Sequence, residues 1–451
     1  MSEIKDIPKH WQVKKLGEVC HTTSGGTPSR QKSSYYNGNI PWVKSGELAR
    51  GLILDTEEKI SEEAIKNSSA KVFPKGTLLI ALYGATIGKL AFLGVDAATN
   101  QAICGIFKND TIDSNYLYHF LFYKKPNLVK QGIGGAQPNI SQGILKNLDL
   151  PIPPLPEQQA IVAKIEELLS ELENGKQQLL SAQQQLKVYR QSLLKWAFEG
   201  KLTNKNVKEG ELPKGWRKVQ IKDLTTMNPK IPDRENISKN MEVQFLPMKL
   251  VEETINKIHL TEIRKYEDVL KGSYTPFMNG DVIFAKVTPC MENGKIAIVN
   301  NLKNGIGFGS SEFHVIRCSE KVNNKFIFYY LVQDRFRQEA ASEMTGAVGL
   351  RRVPKQFLEN SLIPFPSLEE QQHIVSELES KLTVCDKIEE TITQSLQQAE
   401  TLRQSILKKA FEGKLVRHTL TTGAAHREEN TKSKPAPKGR KKLTTGIAHR
   451  E

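Results

Sequence analysis

Two stretches of this chain recur at one fixed distance. The segment Pro154-Leu155-Pro156-Glu157-Gln158-Gln159 returns as Ser367-Leu368-Glu369-Glu370-Gln371-Gln372, and KWAFEGKL (Lys195 to Leu202) returns as KKAFEGKL (Lys408 to Leu415), each 213 positions later. An offset held over more than forty residues excludes insertions and deletions between the copies, as a continuous helix of fixed register requires. Upstream the match loosens. Ile7-Pro8-Lys9-His10-Trp11 resembles Leu212-Pro213-Lys214-Gly215-Trp216 at offset 205, and Phe73 to Ala81 (FPKGTLLIA) resembles Phe277 to Ala285 (FMNGDVIFA) at offset 204. Length changes are therefore confined to the front of each repeat. The chain reads as head one (1–152), helix one (153–203), head two (204–365), helix two (366–416) and a tail (417–451).

The constant parts carry a heptad pattern. Ile161, Ile165, Leu168, Leu172, Gly175, Leu179, Ala182, Leu186, Tyr189, Leu193 and Trp196 alternate spacings of four and three, as do Ile374, Leu378, Lys381, Cys385, Ile388, Ile392, Ser395, Ala399, Leu402, Ile406 and Lys409. Each helix opens after prolines, which are tolerated only before or in a first turn, and each stops near a glycine, Gly200 or Gly413, able to take the left-handed cap. Such a helix reaches about 60 Å. Two matching seams bury each other most economically as an antiparallel coiled coil, with the heads at opposite ends of a pseudo-twofold internal repeat. The alternative is that each helix packs only on its own head.

The heads read as mixed α/β. Leu78 to Leu82 and Val282 to Ala285 are short apolar runs beside glycine turns, hence buried strands, while Tyr116 to Leu121 and Phe326 to Leu331 read as buried aromatic helices whose rings belong to the core. Loops combine glycines, short donors and cations: Gly25, Gly26, Thr27, Ser29, Arg30 and Lys32, then Lys44, then Tyr83, Thr86 and Lys89, then Gln101, Gln137 and Asn139. In the second head, Lys249, Lys286, Thr288, Asn293, Lys295, Ser311, Thr345, Arg351 and Arg352 occupy comparable places. Backbone at such glycines can approach phosphates, and Arg, Lys, Asn and Gln can address base edges, so these residues are the candidate DNA contacts. Ordinary polar turns would look the same.

The formal charge of +14 is a weaker argument, because residues 414–451 hold ten Lys/Arg against three Asp/Glu and so supply half of it. In that tail Leu420 to Glu428 recurs as Leu443 to Glu451, around a Lys/Pro-rich stretch whose composition predicts disorder. The start lacks the apolar run of a signal peptide and no stretch approaches a membrane span, which predicts a cytoplasmic protein with no membrane partner. Five scattered cysteines contain no C-x-x-C pair and the histidines have no metal-ligand spacing. The run Gly84 to Leu90 is one residue short of a phosphate loop and lacks its Ser/Thr, and no serine stands in a G-x-S-x-G elbow. No catalytic or metal site emerges, and no cofactor is expected on this chain.

In this order the repeated P-L-x-E-Q-Q and A-F-E-G-K-L motifs, with Gly25-Gly26-Thr27-Pro28-Ser29, Ile40-Pro41-Trp42 and Asn100-Gln101-Ala102, resemble the specificity subunits of type I restriction-modification systems. The resemblance covers about residues 7 to 416 and implies two target recognition domains, each reading half of a split site in double-stranded DNA, with helices that set the gap. It implies two methylation subunits that modify adenine with S-adenosylmethionine, and restriction subunits that use ATP and magnesium, leaving this chain noncatalytic. One departure is visible: Gly25-Gly26-Thr27-Pro28 has no clear match near Met227-Asn228-Pro229-Lys230. Two other readings stay open, a coiled-coil adaptor with protein-binding heads and an autonomous nuclease or methyltransferase.

Overall fold

The structure, a computed structural model, describes residues 7–131, 139–204, 206–254, 256–347 and 349–416. The chain divides into two compact units, one of the residues up to Ile165 with those from Ile406 onward, the other Glu166–Ser405. The division passes through both long helices, Leu155–Phe198 and Leu368–Phe411, each of 44 residues. Gln137 and both copies of the tail repeat lie outside the described residues.

The two heads have one topology. The first carries a sheet in the order Thr22–Ser24, Ile103–Ile106, Leu78–Ala81, Leu90–Leu93, Leu52–Ile53, and the second carries Thr225–Met227, Phe313–Cys318, Val282–Ala285, Ile296–Ile298. Among the described residues only the edge strand Leu52–Ile53 lacks a counterpart. A second, four-stranded sheet matches throughout: Glu58–Ile60, Ile40–Val43, Ala97–Thr99, Val72–Phe73 against Glu262–Lys265, Glu242–Leu246, Ile306–Gly309, Thr275–Met278. A two-stranded ribbon closes each head, Gln12–Lys15 with Asp149–Ile152 and Arg217–Gln220 with Leu362–Phe365. The apolar runs expected as strands are central and buried along their whole length, as a strand covered on both faces must be. The aromatic runs form the helices Ser114–Gln131 and Asn324–Leu331, with Tyr116, Phe120, Phe326 and Leu331 fully buried as core.

The repeated motifs bind the helices to the heads. Gln158 is fully buried; its amide oxygen accepts from the Asp113 N–H (2.8 Å) and its Nε2 donates to the carbonyls of Thr111 (3.0 Å) and Pro153 (2.9 Å). Gln371 repeats this with the Asn323 N–H (2.9 Å) and the carbonyls of Lys321 (3.4 Å) and Pro366 (3.1 Å). Only an amide offers an acceptor and two donors from one planar group. The preceding glutamates hold other strands of chain: Glu157 accepts from Trp11 Nε1 (3.1 Å) and pairs with His10 (2.9 Å), whereas Glu370 accepts from Thr203 (2.6 Å) and Asn204 (3.1 Å).

The A-F-E-G-K-L motif closes the far end. In the first unit Phe411 packs on Tyr116, Phe120 and Tyr123, with ring centroids 5.3, 5.3 and 5.6 Å away. In the second, Phe198 meets Phe326 at 4.8 Å and Tyr330 at 5.3 Å. The glycines that follow, Gly413 (φ +69°) and Gly200 (φ +74°), end their helices in the left-handed conformation, and a side chain on either would overlap a proline, Pro8 or Pro213. Each head is thus completed by the end of the long helix that belongs to the other repeat.

The long helices depart from the strict heptad in one respect. Burial follows 161, 165, 168 and 172 as expected, then passes through 176, 179, 183, 186, 190, 193 and 197; in the second copy it passes through 374, 378, 381, 385, 389, 392, 396, 399, 403, 406 and 410. One spacing of four is followed by another at 172–176 and at 385–389, a stutter that returns the pattern to 36 residues in ten turns, the period of a straight helix. Ile388 (44 % exposed), Leu402 (50 %), Tyr189 (43 %), Trp196 (38 %), Ala182 and Lys409 are therefore turned out of the seam they were assigned to. The ends of the expected seam serve the heads instead: Leu186, Leu193, Ile374, Leu378 and Cys385 belong to the second head's core, and Ile161, Ile165 and Ile406 are buried in the first unit. Packing on the heads and packing between helices thus share one stripe.

Between those ends, within the second unit, the helices run in opposite directions. Arg190 Nη2 reaches Asp386 (2.7 Å) and Glu389 (2.9 Å), and Arg403 Nη2 reaches Glu173 (3.2 Å). Arg403 stands 213 positions after Arg190 and Asp386 stands 213 after Glu173, so the pairs are reciprocal.

Two predictions follow from this packing. Gln371→Leu strands one N–H and two carbonyls in the interior and should lower stability by about 3 kcal/mol, read as a reduced urea midpoint, whereas Gln372→Leu on the exposed side should leave it unchanged. Phe411→Ala should cost about 3–5 kcal/mol in the first unit, and hydrogen exchange should speed up in Ser114–Gln131 but not in Asn324–Leu331.

Candidate nucleic-acid interface

The candidate loops of the first head gather around two strand ends. After Leu78–Ala81, Tyr83 bridges antiparallel to Asn139, and the Ile140 N–H donates to the Leu82 carbonyl at 2.8 Å. Gln101 accepts from the Thr27 hydroxyl and is hydrogen-bonded to Tyr83, whose phenol burial pushes upward in pKa. Trp42 Nε1 donates to the Gly26 carbonyl (3.1 Å), seating the glycine loop on the second sheet. Thr86 lies in the tight turn between Gly84 and Gly88, and Lys89 follows it, its N–H returning to the Thr86 carbonyl (2.9 Å). Thr27, Tyr83, Gln101 and Asn139 thus form one group, with Thr86 and Lys89 beside it.

Two expectations change here. A side chain at Gly25 would overlap Thr99, and one at Gly26 would overlap Ser69, so these glycines give room to the protein's own backbone rather than to a phosphate. The cations are also paired. Arg30 Nη1 binds Glu58 (2.6 Å), Lys44 Nζ binds Glu57 (2.9 Å) and Glu58 (3.0 Å), and Lys32 Nζ donates to the Tyr35 hydroxyl (3.1 Å). The Arg30 hydrogen bond holds Glu58 below the usual carboxylate range, and Glu57 hydrogen-bonded to Lys44 raises the lysine. Ser29 is exposed at the loop's tip.

The second head repeats the scaffold with other tips. Val287 bridges Arg352 as Tyr83 bridges Asn139, and the Val353 N–H donates to the Lys286 carbonyl at 2.8 Å. Asn100 Oδ1 accepts from the Ala102 N–H at 3.2 Å, and Ser310 Oγ accepts from the Glu312 N–H at 3.2 Å. Gln101 and the exposed Ser311 therefore occupy one position, as do Asn139 and Arg352. Arg352 grips Glu312 with two bonds (2.9 and 2.6 Å), which lower that carboxylate's pKa; Arg351 lies 3.9 Å from Glu292, and the Thr288 N–H donates to the Arg351 carbonyl (3.0 Å). Thr345 bridges Arg352. Asn293 donates to Glu253 (2.9 Å), Lys295 Nζ to the Met248 carbonyl (3.4 Å), and Lys249 is exposed on a separate turn. Lys286, Thr288, Arg351, Arg352 and Thr345 form one group; Lys249, Asn293 and Lys295 lie beside the 248–258 loop instead.

The gap at Met227-Asn228 is also one of position. Asn228 takes φ +52° and bonds Val315 through both its N–H and its Oδ1 (2.7 and 2.9 Å), whereas the Gly25 N–H donates to the Ile103 carbonyl (3.1 Å), further along the equivalent strand. Buried His314 donates its Nε2–H to the Val353 carbonyl (3.0 Å) and accepts at Nδ1 from the Asn228 amide (3.4 Å), and burial lowers its pKa. Missing from the sequence-derived set are the acidic partners Glu57, Glu58, Glu253, Glu292 and Glu312. The five cysteines are free thiols, and among the described residues no group of three or more His, Cys, Asp or Glu could hold a metal, nor is any helix long and apolar enough to cross a membrane.

On the helix pair an open apolar groove is lined by Leu172, Gly175, Leu179, Ala182, Ala399 and Leu402. Ala182 and Leu402, which the stutter turns outward, are part of its lining.

The family model for the type I restriction modification DNA specificity domain matches residues 8–182 and again 213–398. The specificity subunit of the type I restriction enzyme EcoAI of Escherichia coli is 40 % identical over 198 residues, 44 % of this chain and 33 % of that protein, so the match spans about a third of that relative's length. The MjaIX specificity subunit of Methanocaldococcus jannaschii is 26 % identical over 402 residues, 84 % of this chain and 89 % of that protein. Among solved structures, the HsdS subunit from Thermoanaerobacter tengcongensis has a TM-score of 0.60 at 21 % identity, covering 91 % of this chain and 99 % of its own. A chain described under "Structural basis underlying complex assembly and conformational transition of the type I R-M system" reaches 0.69 at 21 % identity, covering 91 % and 100 %; both likenesses are of fold. With both halves matched, this chain belongs to the family of the type I restriction modification DNA specificity domain.

Proposed function

We propose that this chain is the DNA sequence-specificity subunit of a type I restriction-modification complex, with residues 1–152 and 204–365 as target recognition domains and 153–203 and 366–416 as the helical spacer between them. The observation that carries this reading is one scaffold with two sets of tips. Asn139 and Arg352, and Gln101 and Ser311, stand at equivalent positions on equivalent strand ends, which suits two heads that read different halves of one bipartite site in double-stranded DNA. The candidate contacts of the sequence reading are kept in that role, with Gly25 and Gly26 as supports of the loop.

The reciprocal ion pairs of Arg190 and Arg403 support an antiparallel coiled-coil arrangement with a pseudo-twofold relation between repeats, and 44 residues of helix correspond to a ruler of about 66 Å. The apolar groove with Leu172 and Leu402 supports docking of two methylation subunits on the helices. In this reading the partners do the chemistry, adenine methylation with S-adenosylmethionine and, with restriction subunits, ATP- and magnesium-dependent cleavage. This chain is noncatalytic and works in the cytoplasm.

The test is to reconstitute the full chain with its methylation subunits and select targets from random duplex DNA. One bipartite sequence should emerge, methyl transfer should require the partners, and deleting residues 417–451 should leave the selected sequence unchanged. Binding that disappears with the tail, or no selected sequence at all, would favour a protein-binding adaptor.

A further inference from the structure

The four-stranded sheets of the two heads share a node that carries the same apparatus. In the first head Trp42 lies opposite Glu58 on the outer strand and Ala98 on the inner one. In the second, Phe245 lies opposite Glu262 and Phe308. An arginine covers each node. The Arg30 guanidinium carbon is 4.2 Å from the Tyr36 ring and 5.2 Å from Trp42; that of Arg264 is 3.3 Å from Phe245 and 5.6 Å from Tyr274. The supporting rings meet edge to face in both heads, at 5.8 Å and 76°, and at 4.8 Å and 81°. In both, the carboxylate opposite the central aromatic faces the arginine, Arg30 Nη1 to Glu58 Oε2 at 2.6 Å and Arg264 Nη2 to Glu262 Oε2 at 3.6 Å.

Trp42 and Glu58 correspond to Phe245 and Glu262, but the arginine and the second ring do not correspond in sequence. Arg30 comes from the loop before the central strand and Arg264 from the outer strand; Tyr36 precedes the central strand and Tyr274 follows the outer one. A contact inherited whole by duplication would keep all its positions. The same device completed by an arginine and a ring from non-corresponding places, in heads whose other tips differ, marks a task that both heads share.

The chemistry of the device narrows that task. Rings covering the guanidinium face fix its plane, and Arg264 Nη1 also donates to the Tyr274 hydroxyl (3.3 Å), leaving the remaining N–H groups of each edge available. The arginine side chains remain 55 % and 37 % exposed and the glutamates 29 % and 36 %. Donors beside an acceptor complement the major-groove edge of a G·C pair, where guanine O6 and N7 accept and cytosine N4 donates. A phosphate would instead meet the carboxylate as a like charge. We propose that Arg30 with Glu58, and Arg264 with Glu262, are base-reading couples that each recognise a G·C pair in their own half-site; this rests on the specificity-subunit reading above.

The experiment uses the full chain with its methylation subunits in a host whose adenine methylation is mapped by sequencing. The unsubstituted complex should methylate a bipartite target with a fixed G·C pair in each half. Arg30→Ala and Arg30→Lys should each reduce discrimination at one such pair by about tenfold or more, in one half only, and Arg264→Ala and Arg264→Lys should do so in the opposite half. The lysine variants decide the matter should an alanine variant fail to fold, since they retain the charge and lose the fork. The proposal is overturned by lysine variants with an unchanged target, by a half-site with no fixed G·C pair, or by weakening that is uniform over all sequences with a salt dependence reduced by about one charge, the mark of a phosphate contact. Failure of the underlying reading looks different, because the unsubstituted complex would then yield no bipartite target.

Discussion

One buried amide at the first turn of each long helix governs the rest of the molecule. Gln158 and Gln371 satisfy an N–H and two carbonyls of the head while lying in the helix, so neither can move without stranding polar groups in the interior. At the other end Phe198 or Phe411 fills an aromatic pocket and a left-handed glycine reverses the chain against a proline. Each helix is therefore pinned at both ends, and one inserted residue would turn its terminal phenylalanine by about 100° away from its pocket. The fixed offset of 213 is the sequence record of that constraint. The stutter keeps the buried stripe of each helix at the period of a straight helix.

The heads follow a different rule, since no residue there must keep phase with a distant partner. Their paired strands match apart from Leu52–Ile53, yet the turn after the edge strand differs: Gly25 leaves room for the Thr99 backbone in the first, and in the second Asn228 takes positive φ and bonds Val315 through its amide. The paired strands are kept while the turn beside them changes. Tips such as Asn139 and Arg352 vary over this invariant frame without disturbing the buried strands behind them.

This division sets how much was legible in the sequence. The helices, their ends, the central strands and the aromatic core helices could be read because periodicity and a fixed offset are local signals. The stutter could not, because Gly175 and Ile388 fit the heptad as well by composition as their neighbours Lys176 and Glu389 fit the burial. Nor could the exchange of helix ends between repeats, which depends on contacts such as Phe411 with Tyr116. Glycines near cations suggested phosphate binding, whereas Gly25 and Gly26 answer a steric demand from Thr99 and Ser69 that exists only in three dimensions. The acidic partners escaped for the same reason, for Glu58 comes beside Arg30, and Glu312 beside Arg352, only through strand pairing.

Pairing decides what the head cations can do. An unpaired exposed arginine attracts any phosphate, and that attraction is the same for every sequence. Arg30 begins instead from a half-exposed ion pair, worth at most about 1 kcal/mol after solvent screening, that already occupies part of its fork. A matched base edge, worth about 1–3 kcal/mol of discrimination, exceeds that contribution; a mismatched edge desolvates the pair and leaves its remaining N–H groups unmatched. The carboxylate thus weakens the sequence-independent component more than the sequence-dependent one. Net charge then says little about the heads, and under the proposed base-reading role selectivity would reside in which acceptors can replace water at an arginine whose plane is already fixed by two rings.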